Sequence, residues 1–248
     1  MFQLGLVSIS FRELSPSQII QAVKDNGLTC VEWGSDVHAP VTDLQKVRQI
    51  REECDKNGIT TCSYGTYFKI GVNAAEEIYP YVEAAKILGT NILRLWAGNK
   101  GSEEYTEEEK QAFLAECKTL AEIARAENVI FCTECHNNTF TDRLPGCMEM
   151  LDAVSSPHFK TYWQPNQFRT QEENIRYAAS VADQTTVVHV FNWLGTEKFP
   201  LLEGKEVWQE YLKYFRNVPL LLEFMPDNQL QSLKQEANAL KAIAEAIG

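Results

Sequence analysis

The hydrophobic pattern of this chain changes period again and again, and that alternation limits the folds open to it. Short β-branched and aromatic runs fall at 3–10, 30–34, 60–64, 92–96, 129–134, 161–164, 186–191 and 220–224. Between them, apolar residues recur at helical spacing. Ser15-Pro16 supplies an N-cap and a first-turn proline, and Asn26-Gly27 closes that helix. Thr106 with Glu109 forms a capping box at the head of a long fourth helix. Strands that alternate with helices predict a parallel sheet. Eight such units in 248 residues, with no long linker and no composition break, predict one domain over 1–248, folded as a single closed (β/α)8 TIM barrel. An open doubly wound sheet is the rival, but no G-x-G-x-x-G or phosphate-binding loop follows any strand.

The formal net charge of −11 repels phosphate backbones and argues against nucleic acid as a partner. No apolar run of about 18 residues is present, so no membrane association is expected. The opening M-F-Q-L-G-L-V-S-I-S lacks a basic segment before an apolar one and reads as a strand. Seven cysteines, an odd number scattered through strands and helices, predict reduced thiols and a cytoplasmic location. Cys132 and Cys135 match C-x-x-C, but they lie inside one strand-like run with no second pair, which predicts a core role. Oligomeric state is left open, and a homodimer is compatible with the sequence.

A barrel of this kind carries its chemistry at the C-terminal ends of the strands. There the chain places Glu32, Arg94, Glu134, Gln164, His189 and Glu223, most of them after apolar runs. A buried charge in such a place needs a partner or a metal. Glu134, Gln164, His189 and Glu223 come from four neighbouring strands at similar depth. Carboxylates, an amide and an imidazole make a donor set for Mn²⁺, Mg²⁺, Co²⁺ or Zn²⁺. Plainer roles are also open to each: His189 as a core histidine, Glu134 as a partner of Arg94, Gln164 as a strand cap. His158, next to Pro157 and before a strand, is expected at the inert end of the barrel.

The chain resembles the sugar phosphate isomerase/epimerase group with a xylose isomerase-like barrel, which includes ketose 3-epimerases, hydroxypyruvate isomerases and inosose dehydratases. The resemblance runs over essentially the whole length. It is carried by G-L-V-S-I-S at 5–10, V-E-W-G-S-D-V-H at 31–38, L-R-L-W-A-G at 93–98, T-E-C-H-N-N-T at 133–139, H-V at 189–190 and L-L-E at 221–223. It implies one divalent metal held by Glu, Asp, His and Glu from the last four strands. Glu134, His189 and Glu223 match three of these positions. At the fourth, where relatives commonly carry Asp followed three residues later by His, this chain has Gln164 and Gln167. A neutral amide there implies a weaker metal site.

The same resemblance implies an isomerase or epimerase acting on a sugar, sugar phosphate or small hydroxy-keto compound. Glu134 and Glu223 would form the acid–base pair around an enediolate. Trp33, Trp96, Trp163 and Trp193 are expected near the mouth, where they could stack on a sugar ring. Arg94 and Lys69 are expected to meet an anionic group. Glu32 is expected to orient a substrate hydroxyl or His38. His38, Tyr64, His136, Asn166 and Gln167 complete the expected binding surface. Two alternatives stand beside this: a dehydratase on a cyclitol or keto acid using the same site, and a sugar-binding protein that has lost its metal. A repair nuclease is opposed by the acidic balance and by a total of only four histidines.

Overall fold

The strand-like runs pair into one closed parallel barrel, seen in a computed structural model that describes residues 2–247. The barrel strands are β1 (Leu4–Val7), β2 (Cys30–Gly34), β3 (Thr60–Lys69), β4 (Ile92–Trp96), β5 (Ile130–Glu134), β6 (Phe159–Trp163), β7 (Thr185–Val190) and β10 (Leu220–Leu222). Around the barrel the order is β1-β10-β7-β6-β5-β4-β3-β2, so neighbours in sequence are neighbours in space. A two-residue antiparallel hairpin, β8 (Trp193–Leu194) with β9 (Glu197–Lys198), stands outside the barrel after β7.

Eight helices pack around the sheet: α1 (Pro16–Asp25), α2 (Leu44–Asn57), α3 (Tyr79–Leu88), α4 (Glu107–Glu127), α5 (Leu144–Val154), α6 (Gln171–Val181), α7 (Lys205–Leu212) and α8 (Leu233–Glu245). The expected caps form. Ser15 and Thr106 each close a capping box, and Pro16 sits in the first turn of α1. Thr170 does the same for α6. No helix among the described residues is long and apolar enough to cross a membrane.

Alternation along each strand divides the core in two. Outward-facing residues such as Val31, Trp33, Leu93, Leu95, Phe131, Trp163 and Val188 pack under the helices. Cys30, Cys132, Tyr162, Val187 and Leu221 fill the barrel interior with Val7. Burying a large apolar side chain contributes roughly 1.5–3 kcal/mol, so both layers hold the strands to one phase. That phase aims the alternate residues Glu32, Arg94, Glu134 and His189 into the barrel, above the apolar plug.

The structure differs from the expected elements in three places. After β1 the chain turns into a short 3-10 segment, Ser8–Phe11, instead of continuing as strand. β3 runs on to Lys69, with an irregular register against β4 beyond Gly65. The β8–β9 hairpin was not anticipated, although Leu194-Gly195-Thr196-Glu197 contains its signal. Gly195 adopts φ +59, a left-handed conformation that glycine adopts without strain.

Candidate active site

At the mouth of the barrel, β5, β7 and the end of β10 bring Glu134, His189 and Glu223 together. One ligand atom from each lies within 4.8 Å of the others, and all three residues are buried. His189 Nδ1 is 3.2 Å from Glu134 Oε1 and 3.6 Å from Glu223 Oε2. It makes no hydrogen bond there. Gln164 follows β6, between β5 and β7 in the barrel order, and its Oε1 is likewise buried with no hydrogen-bond partner. An imidazole nitrogen and an amide oxygen, both buried and both unpartnered, are a costly arrangement unless a cation completes it.

Beneath the triad lies a second layer of charge. Arg94 Nε donates to Glu32 Oε1 at 2.9 Å, and Arg94 Nη1 donates to Glu134 Oε2. Ser63 Oγ donates to Glu32 Oε2 at 2.9 Å. His189 Nε2 lies 3.4 Å from the same Oε2. Glu32 thus holds the Nε2 edge of His189 and leaves Nδ1 facing Glu134 and Glu223. Gly65 is what admits the Arg94 side chain. A Cβ there would come within 2.7 Å of Arg94 Nη2 and 3.2 Å of Glu32 Oε1.

These contacts set the protonation states. Burial alone pushes each carboxyl up. For Glu32 the Arg94 and His189 charges outweigh burial and bring it down to about 2. Arg94 likewise holds Glu134 well below the usual carboxylate range. Glu223 goes the other way: burial raises it, and the nearby Glu134 and Glu32 charges add to the rise. His189 would be lowered by burial, but Glu223, Glu32 and Glu134 together lift it to about 10. A cation at Nδ1 would take the place of the His189 proton, and three carboxylates against one guanidinium would then leave two negative charges for it. The donor set and the charge both fit a divalent metal.

Around the opening, Trp96 stacks on His136 with ring centroids 4.7 Å apart, and Lys69 Nζ stands 5.4 Å from the Trp96 ring. Across the mouth, Trp193 packs against Phe224 at 5.8 Å. Gln167 ties the β8–β9 hairpin down through its carbonyl, which accepts from Gly195 N at 2.9 Å. Tyr67 covers Arg94, with the guanidinium 5.7 Å from its ring, and takes a hydrogen bond from Arg12 Nη2. Tyr67 and Phe224 have φ of 59 and 52, the left-handed region that side chains larger than glycine avoid. Both lie on the rim of the site.

Several expected substrate contacts are corrected by the structure. Trp33 and Tyr64 are fully buried and face the helix layer, where the Tyr64 hydroxyl donates to Ala39 O. Trp163 packs among Trp208, Tyr211 and Phe215 on the outer side of the sheet. His38 is buried between Ser8 Oγ and the Leu14 carbonyl. Arg94 donates from two nitrogens to Glu32 and Glu134 and keeps a buried Nη2 without a partner, while Glu32 contacts Ser63, Arg94 and His189 rather than His38 or the mouth. Asn166 anchors its own loop through Asn174 and Asn137. The phase of alternation separates most of these. Trp33 follows Glu32, and Trp163 precedes Gln164, so each faces away from its neighbour.

Two smaller expectations, on the cysteines and on His158, are met. All seven cysteines are free, with Cys132 in the barrel interior beside Thr186 and Cys135 beside Thr161. His158 lies at the N-terminal end of the strands, its Nδ1 2.8 Å from Val129 O.

Family models match the description xylose isomerase-like TIM barrel over residues 20–243. The chain belongs to the xylose isomerase-like TIM barrel family. Within that family it is similar to a 3-dehydroshikimate dehydratase of Bacillus anthracis, 31% identical over 167 residues. That match takes in 63% of this chain and spans 59% of the length of the relative. The crystal structure of a probable 3-DHS dehydratase involved in petrobactin synthesis in B. anthracis superposes with a TM-score of 0.82 at 22% identity, covering 97% of this chain and 99% of that one. An L-ribulose 3-epimerase superposes with a TM-score of 0.76 at 13% identity, covering 100% and 96%. Solved structures that share this fold thus include a probable dehydratase and an epimerase.

Proposed function

We propose that the protein is a divalent-metal-dependent lyase that removes water from a small hydroxy-carbonyl compound. The observation that carries this is the pair of carboxylates, Glu134 and Glu223, gathered at the Nδ1 edge of His189 in one buried mouth. The sequence alone favoured an isomerase; similarity to a dehydratase at 31% identity moves the preference to dehydration.

Glu134, Gln164, His189 and Glu223 would hold the metal, which when bound supplies Lewis-acid polarisation of a carbonyl oxygen. The chain's own groups then divide the proton work. Glu134 is fixed and kept ionised by Arg94, so it is ready to accept the proton from the carbon next to the carbonyl. Glu223 makes no side-chain hydrogen bond, so one of its oxygens is free of protein partners and would carry a proton to the departing hydroxyl. One C–H and one C–O bond break, a C=C bond forms and water leaves. In the second reading Glu223 returns its proton to the same carbon from the opposite face, and the product is an epimer. Trp96, His136 and Lys69 on one side, with Trp193 and Phe224 on the other, would bound the substrate.

The test is incubation with Mn²⁺ and either 3-dehydroshikimate or L-ribulose, read by mass spectrometry and NMR. Loss of one water from the former, with L-ribulose unchanged, is the expected result. Inversion at C3 of L-ribulose without water loss moves the assignment to an epimerase. Inertness toward both, with metal bound, overturns the proposal as stated.

A further inference from the structure

The β8–β9 hairpin delivers one cation to the mouth. Lys198, at the end of β9, turns its ammonium back over the rim, 4.7 Å from the Trp193 ring centroid and 5.1 Å from that of Phe224. Asn228 Oδ1 accepts from Nζ at 2.7 Å. No carboxylate lies within 4 Å of Nζ among the described residues, whereas most other mouth and rim cations, such as Arg12 with Asp36 and Arg94 with Glu32, are paired. Lys198 is half-buried, and burial lowers its pKa while the charge of Glu223 opposes that effect.

Four features combine here. A lysine side chain loses rotamer freedom when it is held in one place. Two aromatic faces and an amide hold it, with no carboxylate in contact among the described residues. Its position is reached through a hairpin outside the barrel ladder, tied to the mouth by Gly195 N and Gln167 O. The residue before Phe224, on the same rim, is Glu223.

We infer that Lys198 reads an anionic group on the substrate, a carboxylate or a phosphate, and so selects anionic hydroxy-carbonyl compounds over neutral sugars. This rests on Glu134, His189 and Glu223 being the reacting centre. An anion beside Lys198 completes an ion pair in a partly dehydrated setting, where a charge-assisted hydrogen bond is stronger than at an open surface. Its attachment there would turn the remainder of a small substrate toward Glu223.

Binding equilibria test this without requiring turnover. Calorimetry on the full chain with Mn²⁺ compares shikimate with its methyl ester, and D-ribulose 5-phosphate with D-ribulose. The wild type is expected to favour the anionic member of one pair by about tenfold, the worth of one charge-assisted hydrogen bond. The pair that shows the preference tells carboxylate from phosphate. Lys198→Met is expected to bring that ratio to within about twofold of one, and Lys198→Arg to keep most of it. Unchanged melting temperatures establish that both variants are folded. A ratio preserved in Lys198→Met overturns the inference, as does a wild type that shows no anion preference in either pair or binds none of the four compounds. A preserved Lys198 effect without water loss from 3-dehydroshikimate would remove the proposed dehydration and leave the anion reading in place.

Discussion

Arg94 joins Glu32 to Glu134, donating from Nε to the first at 2.9 Å and from Nη1 to the second. The three side chains come from β2, β4 and β5, and all are buried. This fork sets the charge beneath the site and fixes Glu134, one member of the proposed acid–base pair.

Removing the guanidinium would strand two buried carboxylates. Arg94→Met is expected to destabilise the metal-free protein by about 3–5 kcal/mol. Arg94→Lys should recover only part, because one ammonium cannot span two carboxylates as a planar fork does. Urea unfolding in the presence of a chelator measures both.

Glu134→Gln and Glu223→Gln should each lower kcat by a factor on the order of 10² to 10⁴. Their effects on stability should separate. Glu134→Gln deprives Arg94 of a charged partner and lowers the melting temperature of the chelated protein. Glu223→Gln removes a carboxyl that burial and two neighbouring charges already disfavour, and leaves that temperature unchanged or higher. Equal loss of stability in both would mean the two carboxyls have equivalent surroundings.

Gln164→Asp adds a charge to a donor set that holds an unpartnered amide oxygen. Mn²⁺ affinity by calorimetry should rise by about tenfold, and Gln164→Leu should lower it. In chelated protein the signs reverse: the added carboxylate crowds Glu134 and Glu223, and Gln164→Asp becomes the less stable variant. Affinity unchanged in both variants would take Gln164 out of the ligand set.

Gly65→Ala should be destabilising by about 1–3 kcal/mol, although alanine suits a strand better than glycine. Its methyl would stand 2.7 Å from Arg94 Nη2, and that guanidinium is held in place by two carboxylates. A gain in stability would show that Arg94 has room to shift.

The acid side of the stability profile should carry the signature of Glu109. Lys100 and then the Thr106 backbone lower its pKa to about 2 in the folded chain, against an ordinary value of about 4.3 when unfolded. A depressed carboxyl stabilises above the unfolded pKa, and that contribution is lost as pH falls from about 4.5 to about 2. Glu109→Gln should flatten the melting-temperature profile in that window and leave it unaltered near pH 7. An identical slope in the variant would refute the assignment.

Several parts of this site were legible before the structure. Glu134, His189 and Glu223 stand out because a charged or polar group directly after an apolar run needs a reason, and barrel topology supplies one point of convergence for them. Even the alternative role of Glu134, as partner of Arg94, is realised together with its place in the triad. Trp33, Tyr64 and Trp163 were misplaced because proximity to a strand tip was read without its phase, and adjacent residues face opposite sides of a sheet. Lys198 was missed because its own segment carries no strand-length pattern. It reaches the rim through a two-residue hairpin after β7.

By itself the sequence determined the class of fold and the types of donor available, because period and turn chemistry are local and survive without knowledge of neighbours. Only the closed barrel decided which donors meet. A register shift of one residue reverses every side chain in a strand, and this barrel carries such irregularities at Val31/Glu32, beyond Gly65 and at Thr161/Tyr162. Whether Glu32 faces His189 or the helices, and whether Arg94 is free or held, follows from how those registers add up around a closed ring. That sum belongs to the assembled sheet and to no single stretch of the chain.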